Sequence, residues 1–374
     1  MHKNIKEVAV VFFKLGCFAF GGPAAHIAMM ENEIIEKRKW MTRDYFLDLI
    51  GTTNLIPGPN STEMTMHCGY ERAGKLGLFV AGIAFIFPAT IITGILAYLY
   101  VEYGQLPEVE PFIYGIKPAV LAIIASAVLK LGRKAIKSKT LIIIGILVLA
   151  SSLLGANELV ALLSAGVLGM LFFYLKEKRA TNLKSISPLV LGLGLNAVIA
   201  KTSVLKVFLI FLKVGAILYG SGYVLFAYLD AELVSRGLLT RPELIDAIAM
   251  GQFTPGPVLS TSTFIGYQLS GVLGAIVATS GIFLPSFLFV LLLNPFIPKM
   301  RSSKLLRYFL DAVNVAAVAV MLSVLIIMVK ETLLDWKAIG IAFGATILVF
   351  RTKLSPVWII LLGAFAGYLL VSFL

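Results

Sequence analysis

The chain has 374 residues, of which 59% are apolar and only 14% charged, with a formal net charge of +12 and a mean hydropathy of +0.94. One soluble core of this length cannot hide so much apolar surface, so most of it must face lipid. The positive balance does not point to nucleic acid, because the basic residues cluster in short connectors between apolar runs, where the positive-inside rule accounts for them.

The first apolar run, 8 to 30, has no small-residue cleavage pattern before it and leads into a glycine motif, so it reads as a retained membrane segment rather than a signal peptide. An amphipathic stretch follows at 37 to 53, then Pro57-Gly58-Pro59. Apolar spans come next near 76 to 100, 112 to 131, 140 to 156 and 159 to 175, each close to the length that crosses a bilayer as helix. A basic linker, Lys176 to Lys184, leads to a short apolar run, Pro188 to Ala200. From there the order repeats: a glycine-rich run at 203 to 229, an amphipathic stretch at 236 to 251, Pro255-Gly256-Pro257, and spans near 272 to 293, 308 to 329, 335 to 350 and 355 to 373.

The repeat offset is nearly constant. Lys14 to Lys213 is 199, Pro57 to Pro255 is 198, Pro88 to Pro285 is 197 and Gly169 to Gly367 is 198. Two long apolar copies suggest a transporter built from homologous halves, with residues 1–185 as the first, 186–202 as an inverting linker helix and 203–374 as the second. Corresponding connectors carry opposite charge: Glu102, Glu108 and Glu110 in copy one stand where copy two has Lys299, Arg301, Lys304 and Arg307. Basic loops stay cytoplasmic, so the halves are expected to be inverted, with the N-terminus inside and the C-terminus outside. The fold class expected is an all-α polytopic membrane protein with broken or re-entrant helices at the Pro-Gly-Pro motifs. The sequence leaves open whether 8–30, 42–72 and their repeats span or re-enter. The count is thirteen spans in the first case and nearer nine in the second.

Prolines interrupt helices, and a backbone break at membrane depth must be buried in protein or line a wet cavity. After Pro57, Gly58 and Pro59 come Asn60, Ser61 and Thr62; after Pro255, Gly256 and Pro257 come Ser260 and Thr261. Hydroxyls at a helix start suit an anion, although paired prolines also serve as plain packing kinks. Asn54 and Gln252 precede the two motifs. Gly21, Gly22 and Pro23, with Gly220, Ser221 and Gly222 as their looser repeat, permit close approach of a backbone or a ligand. Lys14 and Lys213 are costly in an apolar run unless paired, wet or snorkelling, which opens an anion-pairing role. Glu63 is a candidate for proton coupling. Asp48 and Asp246 read as polar positions on an exposed helix face.

Phe13 to Trp40 and Asn54 to Glu63, with their FGGP and PGP motifs, resemble the chromate ion transporter family in its long, two-domain form. The resemblance implies export of chromate from the cytoplasm, giving resistance, with the hallmark on Phe20 to Pro23, Pro57 to Pro59 and Pro255 to Pro257. Chromate is a sulfate-like tetrahedral oxyanion, and nothing in the chain separates it from sulfate. Other anions or a cation are the competing substrates. An intramembrane enzyme lacks support, because neither HExxH nor a Ser and His arrangement occurs at motif positions. With no phosphate-cradling motif the transporter is expected to be secondary. Cys17 and Cys68 read as buried thiols, and no metal or cofactor is expected. The residues do not read out an oligomeric state; a homodimer is carried as an expectation.

Overall fold

The computed structural model describes residues 2–20, 22–53, 55–178, 203–219, 222–293 and 303–373. The inverting helix expected at 186–202 lies outside the described residues. Among those described, every regular element is helical.

Helix α1 (His2–Phe18) is followed by α2 (Pro23–Met30), which runs on as a π-helical turn, Glu31–Lys37. Gly22 caps α2 at a φ of 80° and Pro23 opens it, a conformation and a first-turn residue that let the chain reverse. The two pieces fold back on each other: Lys14 and Phe18 face Met29 and Glu33 across a small cavity, and Arg38 reaches Glu7 at 2.9 Å. A second hairpin joins α3 (Arg43–Thr53) to the start of α4 (Asn60–Tyr103). The Tyr45 hydroxyl donates to Glu71 at 2.8 Å across its open end, and Pro57-Gly58-Pro59 forms its tip.

Helix α4 itself consists of two limbs, because Ala73 and Gly74 leave helical geometry, Gly74 at a φ of 65°. The chain turns back there, so that Gly69 of the short limb lies against Gly77 of the long one. Helices α5 (Glu110–Ala135), α6 (Lys139–Leu153) and α7 (Glu158–Lys178) complete the first half.

The second half repeats this plan. Helix α8 (Val204–Ile217) returns through a 3-10 turn at Gly222–Val224, α9 (Leu225–Leu229) and a π turn at Asp230–Val234. Helix α10 (Arg241–Phe253), opened by a Thr240 and Glu243 capping box, leads to the second tip. After it α11 (Thr261–Leu293) breaks at Ser270 and Gly271, the counterparts of Ala73 and Gly74. Then come α12 (Lys304–Thr332), α13 (Trp336–Arg351) and α14 (Pro356–Phe373). Side chains of Ser138, Ser203, Ser303 and Asp335 cap α6, α8, α12 and α13, each contact worth about 1 kcal/mol.

The front of each half therefore consists of hairpins that fold back on themselves. Gly16 packs on the Phe85 carbonyl, and Gly256 lies against Ala89, residues about 15 to 21 Å along the long limb that starts near 75. The tips thus lie near the middle of a helix that crosses the bilayer. Among the described residues, five helices are long and apolar enough to cross a membrane by themselves, and Lys139–Leu153 and Val160–Lys176 are shorter apolar ones. Ile83, Phe87, Ile91 and Ile95, four residues apart on α4, are about half exposed, as a lipid-facing stripe requires. The protein is a multi-pass membrane protein.

The halves interlock rather than sit side by side. Helix α5 packs on α13 and α14 of the second half, and its counterpart α12 packs on α6 and α7 of the first. The long limbs of α4 and α11 cross: Phe79 stacks on Phe287, with ring centroids 5.6 Å apart, while Gly94 lies beside Thr263 of the short limb, which meets Thr279 of the long limb at 2.7 Å. Residue numbers rise along one helix as they fall along the other, so equivalent helices run in opposite directions. An in-plane two-fold axis produces this arrangement, whereas an axis along the membrane normal would leave them parallel. The inversion expected from loop charge is present.

Candidate functional site

Each tip is seated in the opposite half. The Gly58 amide donates to the Leu218 carbonyl at 2.6 Å, and the Gly256 amide donates to the Ala19 carbonyl at 2.9 Å. Leu218 follows α8 and Ala19 follows α1, so the FGGP-type breaks receive the Pro-Gly-Pro tips of the other copy. Both tip glycines have positive φ, 143° at Gly58 and 86° at Gly256. A methyl group at Gly58 would overlap the Glu63 carboxylate and the Ser286 hydroxyl; at Gly256 it would meet the Ala89 methyl at 3.0 Å.

Around the first tip, Pro57, Gly58, Pro59, Ser61, Thr62 and Glu63 are all buried, and Asn60 is partly so. Ser61 meets the His26 ring at 3.2 Å, and the other ring nitrogen of His26 meets the Ala19 carbonyl at 3.0 Å, which ties the first hairpin to the second. The Thr62 hydroxyl and Nε2 of His67 are buried without a hydrogen-bond partner, and the buried Glu63 carboxyl has the Ser286 hydroxyl beside it but no cation. Tyr219, at the end of α8, lies within electrostatic reach of Glu63.

The second tip has different neighbours. Pro255, Gly256, Pro257, Ser260 and Thr261 are buried. Thr254 approaches Ser260 at 3.3 Å and Thr93 of α4 at 3.4 Å, forming a chain of hydroxyls drawn from both halves. Thr261 donates back to the Val258 carbonyl at 2.8 Å. Gln252, 7% exposed, leaves its amide nitrogen unpaired.

Of the glycine-motif candidates, Gly22 and Pro23 open α2, and Gly222 opens the 3-10 turn after α8. Gly21, Asn54, Gly220 and Ser221 lie outside the described residues. The lysines line the hairpin arms rather than the tips. Lys213 is held by Glu232 at 2.6 Å, with Arg236 on the other carboxylate oxygen at 2.9 Å. Lys14 is exposed on a cavity of about 170 Å³ shared with Glu33 and Lys37.

Sequence reasoning missed a further charged group. Asp246 is 2% exposed, which corrects its reading as a solvated position. It accepts a hydrogen bond from the Tyr100 hydroxyl at 2.7 Å and pairs with Lys117 at 3.3 Å. Lys117 also lines a cleft of about 210 Å³ with Tyr114, Glu331 and Asp335. Ser286, Thr93 and Thr254 were missed as well. The signal available was the mismatch within the repeat: Ser286 stands where copy one has Ala89, and Thr93 where copy two has Val290.

Among the described residues, no group of three or more His, Cys, Asp or Glu side chains is disposed to hold a metal ion. The arrangement instead offers hydroxyls, an amide donor and one carboxyl at two buried helix breaks.

Comparison with known proteins fits this picture. The chain is 30% identical over 380 residues to a probable chromate transport protein of Synechococcus elongatus, covering 99% of this chain and 96% of the relative. It is 28% identical over 368 residues to a chromate transport protein of Cupriavidus metallidurans, covering 96% and 92%. A chromate transport protein of Pseudomonas aeruginosa is 29% identical over 378 residues, covering 96% and 90%. No solved structure matches. The family model described as chromate transporter fits twice, on residues 6–170 and 205–368, and each fit takes in one of the two interlocked copies. With both halves matched in turn and near-full-length relatives on either side, the chain belongs to the chromate transporter family.

Proposed function

We propose that this protein is a secondary transporter that exports chromate, or a related sulfate-like tetrahedral oxyanion, from the cytoplasm by alternating access, with proton exchange through Glu63 as the coupling reaction. The observation that carries the reading is the reciprocal seating of the tips. Each buried helix break belongs to one half and rests on the other, so a rocking of the halves moves both breaks relative to their seats. That is the movement an alternating-access cycle needs at a site near the membrane midplane.

The chemistry of the tips supports an oxyanion. Ser61, Thr62, Ser260 and Thr261 place hydroxyls at helix starts, and Gln252 adds an amide donor. The glycine amides, in contrast, are spent on carbonyls of the opposite half. They hold the tips in place and leave anion contact to the residues beside them. A dianion leaving the cell also gains about 2.3 kcal/mol per charge per 100 mV from an inside-negative potential.

Orientation follows from charge. Lys37, Arg38, Lys39, Arg43, Arg72 and Lys75 in the first half share a face with Arg133, Lys134 and Lys137, and that face is assigned to the cytoplasm of a cell membrane.

The test is chromate and sulfate flux in proteoliposomes holding the purified protein, with a Pro57→Ala variant beside the wild type. Chromate flux with sulfate competition, lost in the variant, is the expected result. A correctly inserted wild type that moves neither ion defeats the reading and directs the search to organic anions and cations.

A further inference from the structure

The two tips are related by the repeat, yet their surroundings have diverged in complementary ways. At the first tip, Glu63 of the first half meets Ser286 of the second, both against Gly58. At the equivalent places by the second tip stand Thr261, 198 positions on from Glu63, and Ala89, 197 positions before Ser286. The second tip gathers Thr254, Ser260 and Thr93, whereas the positions equivalent to Thr254 and Thr93 are Ile56 and Val290. Each tip thus combines specialised residues from both halves, and the kinds of residue differ.

Glu63 is fully buried, and the group placed to hydrogen-bond its carboxyl is the neutral Ser286 hydroxyl rather than a cation. A charged carboxylate left so would cost several kcal/mol, so a proton or a counter-charge has to accompany it. The groups that face it are Tyr219 from the end of α8, His67 one turn on along its own limb, Ser286 from α11, and His26 of α2 through the neighbouring Ser61. No lysine or arginine pairs with it among the described residues. An anion placed here would meet a carboxylate and no cation. At the second tip the unpaired group is a donor, the Gln252 amide nitrogen, more than nine-tenths buried, and the polar residues that follow it in the motif, Thr254, Ser260 and Thr261, carry hydroxyls and no carboxyl.

We propose a division of labour between the tips, resting on the oxyanion-transport reading above. The second tip seats the oxyanion through Gln252 and the Thr93, Thr254 and Ser260 hydroxyls. The first tip carries the proton on Glu63, which takes it from water on one side and releases it to water on the other. Ser286 is the positioning residue for that carboxyl. Because among the described residues only the first tip bears an acid, one proton moves per cycle.

The experiment is a double dissociation in proteoliposomes, measuring oxyanion KM and the pH profile of flux for chromate and sulfate. Gln252→Ala and Thr93→Val are expected to raise KM about tenfold, as loss of a hydrogen bond to a charged group does, and to leave the pH profile in place. Glu63→Gln is expected to flatten the pH profile with KM within about twofold. Ser286→Ala is expected to shift that profile, and Ser286→Thr to restore it. The crossed pattern, with Glu63→Gln raising KM at an unchanged pH profile or the Gln252 and Thr93 variants altering the profile at constant KM, overturns the division. If Gln252→Ala is unstable in detergent, the volume-matched Gln252→Met replaces it.

A second readout separates this inference from the transport reading. Chromate and sulfate are expected to raise the Tm of the detergent-solubilised protein, and that shift to disappear in Gln252→Ala while persisting in Glu63→Gln. A wild type with the Tm shift but without flux defeats the transport reading and leaves the seat to be judged on the variants' shifts. The absence of both overturns reading and division together.

Discussion

Lys14 and Lys213 occupy the same repeat position and have different surroundings. In the second half Glu232 is shared by Lys213 and Arg236. In the first half Glu33, its counterpart, is taken by Lys37 at 3.0 Å and Arg38 at 3.1 Å, and no ion pair forms to Lys14. The cause is one residue: Arg38 corresponds to Gly237, so only the first half has a second cation beyond the π turn. Asp48 and Asp246 diverge similarly. Asp48 is exposed, while Asp246 is buried against Lys117, whose counterpart is the uncharged Asn314. A sequence repeat therefore fixes where a side chain stands, and the neighbours decide what it does.

Substitutions made in pairs across the repeat test that lesson, and the largest effect is expected at the tips. Gly58→Ala places a methyl group onto Glu63 and Ser286 at a backbone angle that side chains avoid, and is expected to cost about 3 kcal/mol or more and to abolish flux. Gly256→Ala is expected to cost less, because, at a similarly unfavourable φ, its nearest neighbour is the Ala89 methyl at 3.0 Å rather than two overlapping polar groups. Thermal unfolding in detergent compares them, and equal losses would mean that the two tips are equally tight.

Next in size, Lys117→Ala strips Asp246 of its cation in a buried place and is expected to destabilise by about 2 to 3 kcal/mol, whereas Asp48→Asn is expected to stay within about 0.5 kcal/mol. A milder contrast separates the lysines. Lys213→Ala is expected to cost about 1 kcal/mol, since Arg236 still serves Glu232 and the lysine is half exposed. Lys14→Ala is expected to leave Tm unchanged while lowering oxyanion flux, and Arg38→Gly to bring Lys14 onto Glu33.

The smallest effect concerns two contacts that tie the halves together, Tyr114 to Asp335 at 2.5 Å and Lys137 to Asp311 at 2.6 Å. They are repeat images of each other with the partners exchanged. The Tyr114 hydroxyl and the Ala338 amide hold the Asp335 carboxyl below the usual aspartate range. The stability this adds is present above the ordinary aspartate pKa and is lost as pH falls through the lowered value. The Tm gap between wild type and Tyr114→Phe is therefore expected at neutral pH and to close in acid; a gap constant with pH would place the effect in packing.

Much of the fold was legible because lipid imposes simple rules. Span lengths, the repeat offset and loop charge gave the eight long helical segments and their inversion, and the expected bounds of 76 to 100 and 112 to 131 fall inside α4 and α5. The choice between spanning and re-entry was not legible, since the stretches 8–30 and 42–72 suit either, and the reversals at Gly74 and Gly271 show only in the folded chain. The tips were found through their prolines. Their partners were not, because Ser286 and Thr93 lie in apolar runs where one hydroxyl carries no signal until the opposite half is folded against it. Glu232 and Asp246 were hidden for the same reason.

The interlock of α5 with α13 and α14 bears on the order in which the protein can be finished. Gly115 of α5 lies directly against Gly363 and Gly367 of α14, helices separated by most of the chain. As synthesis proceeds, α5 enters the bilayer with this small-residue face bare and stays so until the final helices are inserted. The first half is then an unfinished body held in lipid, and its tip waits for the Leu218 seat of the second copy, whereas the second tip finds its Ala19 seat already made. The face of α5 around Gly115 is covered last, when α14 brings Gly363 and Gly367 against it.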